Sequence, residues 1–103
     1  MTKLALNPAP TFRAKVAIPV AGGPAVDVEM TFKHRTKTQL DEFVKSRQGT
    51  SDTDSFMEMV SAWDLDDPFG KESVDLLLEN YIGAALATYR KYIDELVQAK
   101  LGN

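Results

Sequence analysis

From Thr11 to Val20 apolar residues fall on every second position, with Phe12, Ala14, Val16, Ile18 and Val20 alternating with Arg13, Lys15, Ala17 and Pro19. Successive side chains of a strand point to opposite faces, so this period predicts a β-strand with one buried side. Val26, Val28, Met30 and Phe32 repeat the pattern, with Asp27, Glu29 and Thr31 between them. The intervening Ala21-Gly22-Gly23-Pro24-Ala25 tolerates positive φ and predicts a hairpin turn. Placing Val20 opposite Val26 sets Ile18 against Val28 and Val16 against Met30, which keeps both apolar sets on one face. Arg13 and Lys15 then face Asp27 and Glu29 on the other side. Pro19 has no N–H for a ladder and points to an edge or a non-hydrogen-bonded site.

Beyond Phe32 the period changes to three and four. Thr36 and Gln39 have capping-box spacing and open a short helix turned inward on Leu40, Phe43 and Val44. Gly49 is its stop, and the polar run Gly49 to Asp54 offers Ser51, Asp52 or Asp54 as caps for a second helix. That helix is predicted from about Ser55 to Trp63, because Phe56, Met59, Val60 and Trp63 are spaced as one helical face. Pro68 fixes its own φ and turns Asp67 away from the α region, so a corner must follow. After it, Val74, Leu77, Leu78 and Tyr81 mark the buried face of a third helix, with Trp63, Leu65 and Phe69 packing from the loop side. Trp63, Asp64, Asp66, Asp67, Pro68, Phe69 and Tyr81 together form a structural hinge. A fourth helix is predicted over Gly83 to Leu101, stopped by Gly102. Ala85, Leu86, Tyr89, Tyr92, Ile93, Leu96 and Val97 give it a broad apolar surface. The fold class is therefore α+β, an N-terminal antiparallel β-hairpin followed by about four α-helices.

The chain of 103 residues fits one domain over 11–103, preceded by a flexible arm over 1–10 in which Pro8 and Pro10 favour extended backbone. Neither a signal-peptide core nor an apolar run of about 20 residues is present in the sequence, so no membrane association is expected. A formal net charge of -3 argues against nucleic acid as partner. Lys33, His34, Arg35, Lys37, Lys45 and Arg47 form the most basic region, which reads as a solvated face. With no cysteine, neither a disulfide framework nor a thiol nucleophile is possible.

Little chemistry is encoded in what remains. Counted as a calcium loop from Asp64, the fifth position is Pro68 and the sixth Phe69, where an oxygen ligand and a glycine are needed. The acids of this corner lack a neighbour to separate their pKa values, so a hydrolytic carboxylate pair is not supported either. His34 has no cysteine or serine constellation around it, and the two adjacent glycines do not make a phosphate loop. No catalytic, metal or cofactor residue is nominated, and the chain reads as a non-enzyme. The best interaction candidate is the last helix, with Tyr89, Tyr92, Ile93 and Leu96 as protein-binding residues.

Trp63-Asp64-Leu65-Asp66-Asp67-Pro68-Phe69, then Leu76-Leu77-Leu78-Glu79-Asn80-Tyr81 and Gly83-Ala84-Ala85-Leu86, carry a resemblance of another kind. With Phe32-Lys33-His34-Arg35-Thr36 leading into a helix, they resemble the tail assembly chaperones of long-tailed bacteriophages and prophages over roughly residues 11–101. This chain departs from that pattern in having Gly70 and Lys71 where serine or threonine is expected. It also has Ile82 where proline often follows the tyrosine, which allows a continuous helix across 81–83. The resemblance implies non-enzymatic work in the bacterial host cytoplasm and absence from the mature virion. Its implied partners are the tape measure protein, whose hydrophobic helices are kept soluble, and the major tail-tube protein that polymerises around it. Independently of the resemblance, the apolar surface of the last helix leads us to expect a weak homodimer or small ring-like oligomer through residues such as Tyr89 and Ile93. The alternative is a small phage regulatory or inhibitor protein acting by protein–protein binding.

Overall fold

A computed structural model describes residues 3–98. The elements follow in the order β1 (Thr11–Ile18), β2 (Val26–Lys33), α1 (Lys37–Ser46), a single 3-10 turn (Arg47–Gly49), α2 (Asp52–Met59), β3 (Val60–Trp63), α3 (Lys71–Asn80) and α4 (Ala84–Val97). The strands form one antiparallel sheet in the order β1-β2-β3, with the helices packed on its apolar face. The α+β class and the N-terminal hairpin are as the alternation predicts. The last helix ends at Val97, where Gln98 turns left-handed at φ 51°, and so does not run on as predicted toward Leu101; the predicted stop at Gly102 lies outside the described residues.

The hairpin register differs from the predicted one by two residues. Ile18 pairs with Val26, Val16 with Val28 and Ala14 with Met30, so the loop begins at Pro19 rather than Ala21. Proline cannot donate to the ladder, and Gly22 adopts φ 77° in the turn closed by Gly23 N–H donating to Val20 O at 3.2 Å. A shift of two preserves the faces, which is why the apolar set still points inward. Ala14, Val16, Ile18, Val28, Met30 and Phe32 are all buried. On the outer face Arg13 and Glu29 approach to 3.7 Å, an exposed pair of small energetic weight.

The third strand corrects the prediction that a helix runs to Trp63. Ser51 caps α2, its hydroxyl accepting from Asp54 N–H at 3.1 Å, so the helix starts at Asp52 and stops at Met59. Val60–Trp63 then pairs with β2 across a bulge between Thr31 and Phe32. Phe56, Met59, Val60 and Trp63 do share one side, but half of them reach it through a strand. Asp64 extends the ladder: its N–H donates to Glu29 O, and its carboxylate accepts from Glu29 N–H, each at 3.1 Å. The predicted capping box of α1 is present, Thr36 and Gln39 each bonding the other's backbone. Phe43 turns into the core while Val44, predicted inward, lies exposed on the flank.

Nor does one helix run continuously across 81–83. Tyr81 leaves helical geometry at φ -123°, ψ 87°, and Ala84 N–H bonds back to Tyr81 O at 2.9 Å. Gly83 allows this corner to press against the hairpin loop, for a Cβ placed there would meet Pro19 Cγ at 2.9 Å. The corner thereby ties the carboxyl-terminal helices to the end of the sheet.

Candidate functional site

Besides the Asp64–Glu29 bonds to β2, the acidic corner is held by hydrogen bonds within itself and from the first turn of α3. The Trp63 indole N–H donates to Asp67 O at 2.8 Å, and the Ser73 hydroxyl lies 2.6 Å from Pro68 O and 3.0 Å from Gly70 O. Phe69 meets the indole edge to face at 5.0 Å between ring centres, and Phe56 also meets it edge to face at 6.3 Å. Such bonds fix the turn while leaving Asp64, Asp66 and Asp67 exposed. Trp63, Asp64, Asp66, Asp67, Pro68 and Phe69 are thus one connected corner.

Between this corner, the loop end of the hairpin and α3 lies an open groove of about 500 Å³. Ile18, Val20, Val26 and Val28 supply the sheet side, Trp63 and Leu65 one wall, and Leu76, Leu77 and Tyr81 the other. Asp66 and Asp67 border it together with Ser73 and Asn80. A second hollow, lined by Pro19, Ala21, Ile82 and Gly83, continues from it through the shared Val20, Asn80 and Tyr81. Large apolar side chains are exposed along these two hollows: Leu76 is 64% and Ile82 92% exposed, with Val26, Leu65 and Tyr81 also open. Contiguous apolar surface edged by charge is the signature of a protein contact.

The predicted contact surface on α4 is differently placed. Tyr92 is corrected from surface to core: it is fully buried, stacked on Phe32 at 5.4 Å and Phe12 at 6.2 Å. Its hydroxyl donates to Lys33 O at 2.7 Å and accepts from Arg35 Nη1 at 2.9 Å. Burial raises the Tyr92 pKa, a shift that the Arg35 guanidinium opposes. Tyr89 is half-buried beside Phe43, with the Arg47 guanidinium 3.5 Å above its ring. Ile93 and Leu96 are likewise half-buried against the core.

The basic region is also more structural than a solvated face. Arg35 donates to Glu58 O at 2.6 Å and covers the Phe43 ring at 4.5 Å, while Lys33 Nζ donates to Met57 O at 3.0 Å. These cations fasten the β2–α1 junction to the end of α2. Beside them is an open hollow lined by His34, Gln39, Glu42 and Ser46. Among the described residues no group of three or more His, Cys, Asp or Glu side chains is placed to hold a metal ion.

The corner is legible in the sequence; of the groove's other wall, Leu77 and Tyr81 are expected on the buried face of α3, yet Tyr81 caps the end of that helix and is 40% exposed, and Leu76 is not singled out at all. The available signal was Leu76, an apolar residue off the Val74-Leu77-Leu78 stripe, and Ile82 beside it at the helix break. Val26 was assigned to the inward set, yet it sits at the strand end, where no helix covers it.

The sequence model of a family described as phage tail assembly chaperone matches residues 1–103. No match was found among curated proteins or among solved structures.

Proposed function

This chain belongs to the phage tail assembly chaperone family, and from that premise we propose that it binds the tape measure protein of its own phage or prophage. The general role that follows from membership is non-enzymatic assembly. The full-length family match is the observation that carries the reading; the apolar groove supplies a physical means. An exposed amphipathic helix of the client lays its apolar ridge along Val26, Leu65, Leu76 and Tyr81, while Asp66 and Asp67 meet basic residues on its flank. Several such contacts along a long client give avidity without a catalytic cycle. Client held in this way stays soluble while tail-tube subunits polymerise around it, in the host cytoplasm and without retention in the virion.

The test is coexpression with affinity capture on the client. The chain should co-purify with full-length tape measure protein. No co-purification, with the tail-tube subunit present as well, would overturn the assignment. A stable complex with an unrelated host protein instead would point to regulation.

A further inference from the structure

We propose that the outer edge of β1 receives an extended acidic segment of a partner protein, which adds to the sheet as a further strand. β1 is 8 residues long and stands at the border of the order β1-β2-β3. The phase of its ladder is fixed by His34 N–H, which donates to Pro10 O at 2.8 Å. With those two residues in register, the bonded pairs continue through Phe12–Phe32, Ala14–Met30, Val16–Val28 and Ile18–Val26. Glu29 agrees, since its N–H and its carbonyl both turn away from β1 to Asp64. Thr11, Arg13, Lys15 and Ala17 therefore direct their N–H and C=O groups out of the sheet. All four residues are exposed, and among the described residues no backbone bond from another element reaches them.

This edge suits an added strand. From Thr11 to Ala17 it runs about 20 Å at ~3.3 Å per residue, with neither bulge nor proline between Pro10 and Pro19. At the opposite border β3 has 4 residues. None of the four outward residues of β1 lines the groove beside the acidic corner, and the contact does not rest on the client proposed above.

Charge selects the occupant. Arg13 and Lys15 share the outer face of this edge; Arg13 has Glu29 at 3.7 Å, and Lys15 makes no ion pair among the described residues. Antiparallel pairing of β1 with β1 of a second copy about its centre sets Arg13 opposite Lys15, or either opposite itself. Like charges directly opposite are destabilising, so the pair deters a copy. A strand with two acids spaced two apart meets both cations instead. Its intervening side chains then fall on the inner face beside Ala14 and the half-buried Phe12, where apolar residues gain contact. β2 already offers this alternation, Val26-Asp27-Val28-Glu29-Met30, to the other side of β1.

Amide hydrogen exchange of the full chain, resolved by NMR, tests the proposal with the blocked peptide Thr-Val-Glu-Val-Glu-Val-Thr as probe. In the free chain Thr11, Arg13, Lys15 and Ala17 should exchange fast, while Phe12, Ala14, Val16 and Ile18, bonded to β2, should be protected. Saturating peptide should slow the first set. A peptide with lysine at both glutamate positions should bind about tenfold more weakly or not at all. One N-methylated at both glutamates cannot donate to β1 and should leave exchange unchanged. In Arg13→Glu/Lys15→Glu, altered on the exposed face alone, the amides bonded to β2 should keep their protection and the preference between glutamate and lysine peptides should reverse. Exchange unmoved by the glutamate peptide, an equal effect from the lysine or N-methylated peptide, or an unreversed preference in the variant each overturns the proposal. Slow exchange of the outward set in the free chain, with light scattering giving a dimer mass, assigns the edge to a second copy and overturns it as well.

Discussion

The two ends of the sheet's inner face are finished differently. At the Thr11–Lys33 end Phe12, Phe32 and Tyr92 stack, Phe43 meets Tyr92 edge to face at 5.9 Å, and Arg35 closes over them. At the Ile18–Val26 end the sheet offers shorter aliphatic side chains, and the walls of Trp63, Leu65, Leu76 and Tyr81 stand apart. One end therefore spends its aromatic residues on stability, and the other leaves apolar surface available. A large side chain marks a site only where it remains uncovered: Tyr92 is as interface-like in composition as Tyr89 on the same helix, yet it is fully enclosed.

The comparison can be broken most severely at Tyr92. Tyr92→Ala should cost about 3 to 5 kcal/mol, because it empties the centre of the aromatic stack and removes the hydroxyl that bridges Lys33 O and Arg35. Chemical denaturation would register this as a large fall in midpoint. At the open end Trp63→Ala should cost less, about 2 to 3 kcal/mol, since the indole is only half-buried although it holds Phe56, Phe69 and the Asp67 carbonyl. Equal losses at the two positions would erase the distinction between closed and open ends. Gly83→Ala should cost about 1 to 3 kcal/mol through its clash with Pro19, measured by thermal unfolding.

The smallest expected effect is a pH dependence confined to the closed end. Tyr92 has its folded pKa raised above 10.0, chiefly by burial. Above the unfolded pKa the unfolded chain loses this proton while the folded chain keeps it, so stability falls as pH rises. The contribution is whole below about pH 10 and disappears as pH passes the folded pKa. Unfolding midpoints of wild type and Tyr92→Phe, followed from pH 9 upward, should converge across that window. A constant difference would remove the linkage.

Much of this architecture was legible because local patterns and tertiary packing agree. The strand alternation, the Thr36–Gln39 capping box and the corner at Pro68 each rest on backbone rules that need no distant partner. The register and β3 were less accessible. Pro19 looked like a tolerable strand residue until Gly83 gave it a packing partner, and Val60–Trp63 satisfied a helical period equally well. Only pairing with Met30, Thr31 and Phe32 decides for a strand. Of the site, the acidic corner could be read from sequence, whereas the opposing wall depends on which apolar residues the helices fail to cover. The same limitation placed Tyr92 on the surface.

The most direct measurement of the central claim is the soluble fraction of tape measure protein coexpressed with wild-type chain or with Leu76→Lys/Ile82→Lys, both altered residues being exposed beside the groove. Circular dichroism and the unfolding midpoint should show that the variant folds as wild type. The wild type should keep the client soluble, and the variant should let most of it aggregate. A client equally soluble with either chain, or equally insoluble with both, would contradict the account.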